Sequence, residues 1–124
     1  MEKWLYLVLG GALGTLSRFG LAGVVTQRMG AAFPWGVLAV NVTGCFIAGF
    51  LDILFERKFL LSPNHRILLM TAFCGAFTTF STIILDTSHL LKENQFLSAF
   101  LNIMLSICIG FIAFKIGAVV AEII

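Results

Sequence analysis

Thr78-Thr79-Phe80-Ser81-Thr82 places four hydroxyls in five residues, directly after Phe73-Cys74-Gly75-Ala76-Phe77. A hydroxyl both donates and accepts, so such a run could bind an ion or satisfy backbone freed from a helix. Gly75 beside the Thr/Ser run reads as a helix break. Freed carbonyls there could hold a cation, and freed N–H groups or hydroxyls an anion. The blander reading, each hydroxyl bonding the carbonyl four residues back, accounts for one or two Thr but not for all four hydroxyls. Asn41 is the second group of interest. It shares a helical face with Gly44, Ala48 and Asp52, and its amide offers N–H donors without a charge. Two readings are open for it: a hydrogen bond between helices, or the lining of a pore. Arg18 is the third. A charged side chain near the middle of a membrane helix costs about 2.5–3.5 kcal/mol. Arg18 is read either as an interfacial residue paired with a carboxylate or helix C-terminus, or as a fixed positive charge in an anion vestibule. Asp52 and Asp86 are its candidate partners.

Other chemistry finds little support. His65 and His89 are isolated, no His/Cys cluster has zinc spacing, and no nucleophile–base pair or phosphate loop is present. The sequence therefore points away from an enzyme. Cys45, Cys74 and Cys108 are odd in number and sit in apolar settings, which reads as buried thiols rather than a disulfide set.

The elements that must carry these groups follow from the distribution of charge. Of 124 residues, 60% are apolar and 11% charged, against about 25% charged in a soluble domain. Mean hydropathy is +1.04. The net charge of +2 supplies no basic tract for nucleic acid. A small integral membrane protein remains. Uncharged stretches run from Met29 to Leu51 (23 residues), between Arg66 and Asp86 (19) and between Glu93 and Lys115 (21). Each can cross the hydrocarbon core as a helix, which takes about 20 residues. Four spans are expected, near 4–27, 33–55, 67–91 and 95–121, within a single four-helix transmembrane domain over 1–124. A cleaved signal peptide is the lesser reading of the first segment, whose apolar stretch outruns a typical h-region.

The connectors are short, so the spans run antiparallel. Lys3, Arg57, Lys58, Arg66 and Lys115 fall on the side of the termini, and Arg28 and Lys92 on the other. The bias favours cytoplasmic termini but is modest, and such a chain could insert either way. Small residues recur within the spans: Gly10 and Gly14, Gly20 and Gly23, Gly44 and Gly49, Gly110 and Gly117. In lipid they let helix backbones approach closely. In the fourth span Ser98, Asn102, Ser106, Gly110, Ala113 and Gly117 form a thin polar-and-small stripe facing the bundle or a pore. Four short helices enclose little on their own, so a dimer is expected.

Taken in order, these fragments resemble one family, the CrcB/Fluc fluoride channels. The resemblance rests on Gly10-Gly11-Ala12-Leu13-Gly14 followed by Arg18, on Pro34-Trp35-Gly36 leading to Val40-Asn41 and Gly44, and on Gly75-Ala76-Phe77-Thr78-Thr79-Phe80-Ser81-Thr82. It covers essentially the whole chain. It implies an all-α membrane protein with a break in the third of four helices, assembled as an antiparallel, dual-topology homodimer in the bacterial inner or plasma membrane. The implied activity is passive export of fluoride, lowering its toxicity, through two pathways per dimer. A structural sodium ion at the dimer centre, not transported, is implied to bind backbone carbonyls of Gly75 and Thr78.

The resemblance also implies roles for side chains. Asn41 lines the pathway as a donor, Phe80 presents its positively polarised ring edge, Ser81 and Thr82 form a hydroxyl track, and Arg18 stands near the vestibule. Fluoride holds its water tightly, and neutral donors can replace that water without trapping the ion. The sequence departs from the family pattern twice. Ile83 stands where a second Phe is usual, and Val37 where a hydroxyl residue is common. The rival from another class is a small multidrug-resistance transporter, also a four-span antiparallel dimer. It needs an ionisable carboxylate in the first span, whereas this span holds Arg18 and no acid beyond Glu2.

Overall fold

The computed structural model describes residues 1–57 and 62–124; Lys58, one of the charges assigned to the terminal side, lies outside the described residues. Among the described residues the chain is wholly helical, and four helices are long and apolar enough to cross a membrane. They are α1 (Glu2–Met29), α2 (Trp35–Glu56), the composite third span Pro63–Lys92 and the last helix, Phe96–Ile123. The third span comprises α3 (Pro63–Arg66), an over-wide π-helical stretch (Ile67–Cys74), α4 (Gly75–Phe77) and α5 (Phe80–Lys92). The last helix is α6. The chain is a multi-pass membrane protein.

Local chemistry sets the ends. Gly30 closes α1 at φ 87°, a conformation that disfavours any Cβ. Ser62 caps α3, its Oγ accepting from the His65 amide at 3.4 Å, with Pro63 in the first turn where its missing N–H is harmless. Asn94, at φ 60°, turns the chain between α5 and α6, a role its short polar side chain tolerates.

Packing is built on glycine. α2 lies along α6, and the two meet backbone to backbone: a Cβ on Gly49 would overlap the Phe114 carbonyl, and one on Gly117 the Phe46 carbonyl. α1 packs against the π-helical stretch and α4 in the same way, Gly10 facing the Leu68 carbonyl and Ala72, and Gly14 the Phe73 carbonyl and Ala76. Gly36 seats the start of α2 on Ala22 and Thr26 of α1. In hydrocarbon, where lipid tails compete with apolar side chains, such close contact holds helices together. Gly11, Gly20, Gly23 and Gly75 are different, since a Cβ on any of them would meet no described residue within 4 Å.

At the end shared by both termini, Arg57 pairs with Glu122 and Arg66 with Glu56, at 2.5 and 3.1 Å. These side chains are largely exposed, and such pairs contribute about 0–1 kcal/mol. They tie the ends of α2, α3 and α6 together. The three thiols are free, but Cys108 faces outward from α6 rather than into the bundle as its apolar setting suggested. On an all-round apolar helix, composition does not distinguish the lipid-facing side.

Candidate functional site

Thr78 (φ −91°, ψ 158°) and Thr79 (φ −151°, ψ 117°) are extended residues between α4 and α5. Their hydrogen bonds account for much of the hydroxyl run. Thr78 Oγ1 donates to the Cys74 carbonyl at 2.9 Å, the back-bond anticipated for one or two of the Thr. Thr79 Oγ1 caps α5, accepting from the Thr82 amide at 3.3 Å, and lies 3.0 Å from Thr82 Oγ1 and 3.4 Å from Ser81 Oγ. Three hydroxyls thus form one cluster at the start of α5.

Asn41 holds the extended pair from α2. Its Oδ1 accepts from the Thr79 amide at 2.8 Å, and its Nδ2 donates to the Thr79 carbonyl at 3.1 Å. This reciprocal pair joins α2 to the extended residue that caps α5, and it leaves one Nδ2 hydrogen for another acceptor. Three residues along, Gly44 makes room for the Thr78 methyl and the Phe77 ring. Asn41 and Gly44 are both buried, on the face of α2 that the sequence marks as small.

The same bonds redirect the backbone. In a continuous helix the Thr79 amide would bond the Gly75 carbonyl, and the Thr82 amide the Thr78 carbonyl. Here they go to Asn41 Oδ1 and Thr79 Oγ1. The Gly75 and Thr78 carbonyls are therefore released from their helical partners.

Two clefts flank Thr79. One, of about 390 Å³, is lined by Asn41, Phe80 and Ile83 together with Cys45 and Ser106. The other, of about 510 Å³, is lined by Arg18, Thr82 and Val37, with Thr15 and Thr26 of α1. Either volume accommodates several waters at about 30 Å³ each. Asn41, Phe80 and Ile83 are thus brought together, as are Arg18 and Thr82. Ser81 is exposed and lines neither cleft, reaching the group only through Thr79 Oγ1. Among the described residues Arg18 has no ion-pair partner, so neither Asp52 nor Asp86 neutralises it. The Phe80 ring stands 74% exposed on the protein surface, available to a neighbour or to the cleft.

Thr79 is the residue the sequence did not single out. Only its place in the hydroxyl run marked it, yet it caps α5, pairs with Asn41 and touches both clefts. The Asn102–Thr87 link between α6 and α5 was also missed; the polar stripe showed Asn102 but nothing in the spacing named Thr87 as its partner.

Comparison with known proteins bears on the arrangement as a whole. The model of the CrcB-like protein family, Camphor Resistance (CrcB), matches residues 5–118. The chain belongs to the CrcB family. The chain is 43% identical over 123 residues to the fluoride-specific ion channel FluC of Desulforapulum autotrophicum, covering 99% of this chain and 98% of that protein. It is 37% identical to the protein of that name from Nitrosococcus oceani, with 99% and 98% covered, and 38% identical to that from Solidesulfovibrio magneticus, with 100% and 99% covered. As a CrcB protein, the chain places the redirected backbone and both clefts within the matched region.

Proposed function

We propose that this chain is a fluoride-specific channel that lets fluoride leave the cell passively. The observation that carries the reading is the site around Thr79, in a chain that matches channels of that name along its whole length. Around Thr79 the available groups are a neutral amide, clustered hydroxyls, an aromatic ring and one unpaired guanidinium. Such a set attracts a small, strongly hydrated anion in stages. Arg18 raises the local anion concentration at the larger cleft, Thr82 and Thr79 offer hydroxyls, and Asn41 offers its remaining N–H beside the Phe80 edge and Ile83. Ser81 extends the hydroxyl track through Thr79. The charged group on this route, Arg18, lines the larger cleft, whereas neutral groups line the one around Asn41 and Phe80, so a fixed charge does not hold the ion there.

The working unit is an antiparallel homodimer of chains inserted in opposite orientations. Both clefts are open-sided, and Gly11, Gly20 and Gly23 leave α1 with small, unfilled surface. A second copy would close them. The extended Thr78–Thr79 pair acts as the break in the third span, and the released Gly75 and Thr78 carbonyls are the hard oxygen donors a sodium ion requires. Gly75 lies at an exposed, uncrowded position, so backbone from a second copy can approach it. These residues fit a structural sodium ion that joins two copies; the ion would neutralise carbonyl dipoles left unsatisfied at membrane depth. A proton-coupled drug transporter is disfavoured, because α1 carries no acid beyond Glu2 and Arg18 occupies its interior.

Fluoride release from liposomes, followed with an ion-selective electrode, tests the pathway. The parent chain is expected to release fluoride, and Ile83→Phe to release it at an equal or higher rate, because an aromatic edge replaces an aliphatic wall of the cleft that holds Asn41 and Phe80. A collapse of release in Ile83→Phe would show that Ile83 does not border the pathway.

A further inference from the structure

α5 carries Phe80, Ser81, Thr82 and Ile83 in its first turn, yet it is weakly anchored. The extended Thr78–Thr79 pair uncouples it from α4, it lies chiefly against α6, and its buried side chains are Thr87 and Leu90 alone. Apolar packing therefore leaves its height and rotation poorly fixed. Polar contacts fix them instead. The Asn102 side chain, 1% exposed, donates from Nδ2 to Thr87 Oγ1 at 3.0 Å and, at longer range, to the Ile83 carbonyl at 3.4 Å. Thr87 Oγ1 in turn donates to the same Ile83 carbonyl at 2.7 Å. On α6, Ser106, a residue of the cleft that holds Asn41 and Phe80, donates from Oγ to the Asn102 carbonyl at 2.5 Å. Among the described residues no buried side-chain polar atom is left unpartnered. In a low dielectric, losing one member strands another, so such a network holds one arrangement rather than several.

We propose that Asn102 is a positioning residue for the ion pathway: through Thr87 and the Ile83 carbonyl it sets the register of α5 on α6, and hence where Phe80 and Ile83 face Asn41. Asn41 holds α5 at its cap, Thr79, and Asn102 holds it one to two turns further along. Two anchors fix both position and rotation, which one cannot. The proposal rests on the channel reading for its consequence, but its structural part stands apart from it.

Parent, Asn102→Leu, Thr87→Val, Thr87→Ser and the Asn102→Leu/Thr87→Val double variant are purified and reconstituted in liposomes. Each is measured by fluoride release and by amide hydrogen exchange over residues 80–87 in the same lipid. Asn102→Leu and Thr87→Val are each expected to slow release by about tenfold or more, and the double variant by no more than the stronger single. Thr87→Ser keeps the hydroxyl and should stay within about twofold of the parent. Exchange over 80–87 should quicken in the three slow variants and not in Thr87→Ser. Multiplying losses in the double variant, release in Thr87→Val within about twofold of the parent, or exchange unchanged from it would overturn the proposal. If Asn102→Leu yields no folded chain, the Thr87 pair decides the same question. A parent that releases no fluoride would contradict the channel reading instead, and the exchange comparison would still decide whether Asn102 and Thr87 hold α5.

Discussion

Asn41→Asp is expected to reduce fluoride release by at least about 100-fold, a loss of about 2.7 kcal/mol at the barrier. The substitution keeps size and shape but reverses the chemistry at two places. The Nδ2 that donates to the Thr79 carbonyl becomes a carboxylate oxygen facing that carbonyl at hydrogen-bond distance. The remaining N–H, the proposed donor to the ion, becomes an acceptor that repels an anion. The Oδ1 contact with the Thr79 amide survives, so α2 keeps one of its two bonds to the extended pair. A buried carboxylate without a cation beside it also costs several kcal/mol unless it is protonated. Release assayed alongside size-exclusion of the purified protein separates the two effects. Loss of release with an unchanged elution position is the expected pair of results. Release close to that of the parent would mean that Asn41 serves only to join helices.

Gly49→Ala should have the largest effect on the fold itself. Its Cβ would enter the Phe114 carbonyl, which belongs to the α6 backbone and has no flexible end to move aside. Overpacking of this kind costs about 1–3 kcal/mol and sometimes more. Because Gly117 receives the Phe46 carbonyl from the opposite direction, α2 and α6 cannot simply slide apart at one point and stay closed at the other. A thermal melt in detergent should show Gly49→Ala well below the parent. Gly11→Ala separates the contact within the chain from the contact between copies, since its Cβ meets no described residue within 4 Å and can disturb only the face proposed to meet a second copy. Equal melting of Gly49→Ala and the parent would contradict the backbone-to-backbone contact.

The sequence was most legible where physics acts through composition. Scarcity of charge located four helices, because an unpaired charge in hydrocarbon is costly and the chain keeps most of its charges near the helix ends, Arg18, Asp86 and Lys115 apart. The glycines were legible as contact points but not as to partner: Gly10 and Gly14 meet the third span, whereas Gly20 and Gly23 meet nothing within 4 Å among the described residues. Composition cannot say which neighbour a notch receives. Asn41 shows the same limit at the site. Its burial and its bond to another helix were among the expected outcomes, but the partner proved to be backbone, the amide and carbonyl of Thr79. Any residue can present those groups, so no side-chain pattern could reveal it. The hydroxyl run was read as unusual and its Gly75 neighbour as a break, yet the division of labour within it depends on two dihedral angles per residue. Thr78 bonds backward along its own helix while Thr79 caps the next one, although the two residues are identical in type and adjacent.

Selectivity among anions, measured without a proton gradient, tests the central claim most directly. Liposomes containing the purified chain are loaded with potassium fluoride or potassium chloride, in the presence of sodium, and a potassium ionophore is added to let counter-charge leave. Fluoride is expected to leave promptly and chloride to stay inside, with no dependence on an imposed pH difference. Equal rates for the two anions, fluoride movement that requires a proton gradient, or no fluoride release at all would contradict a passive fluoride channel.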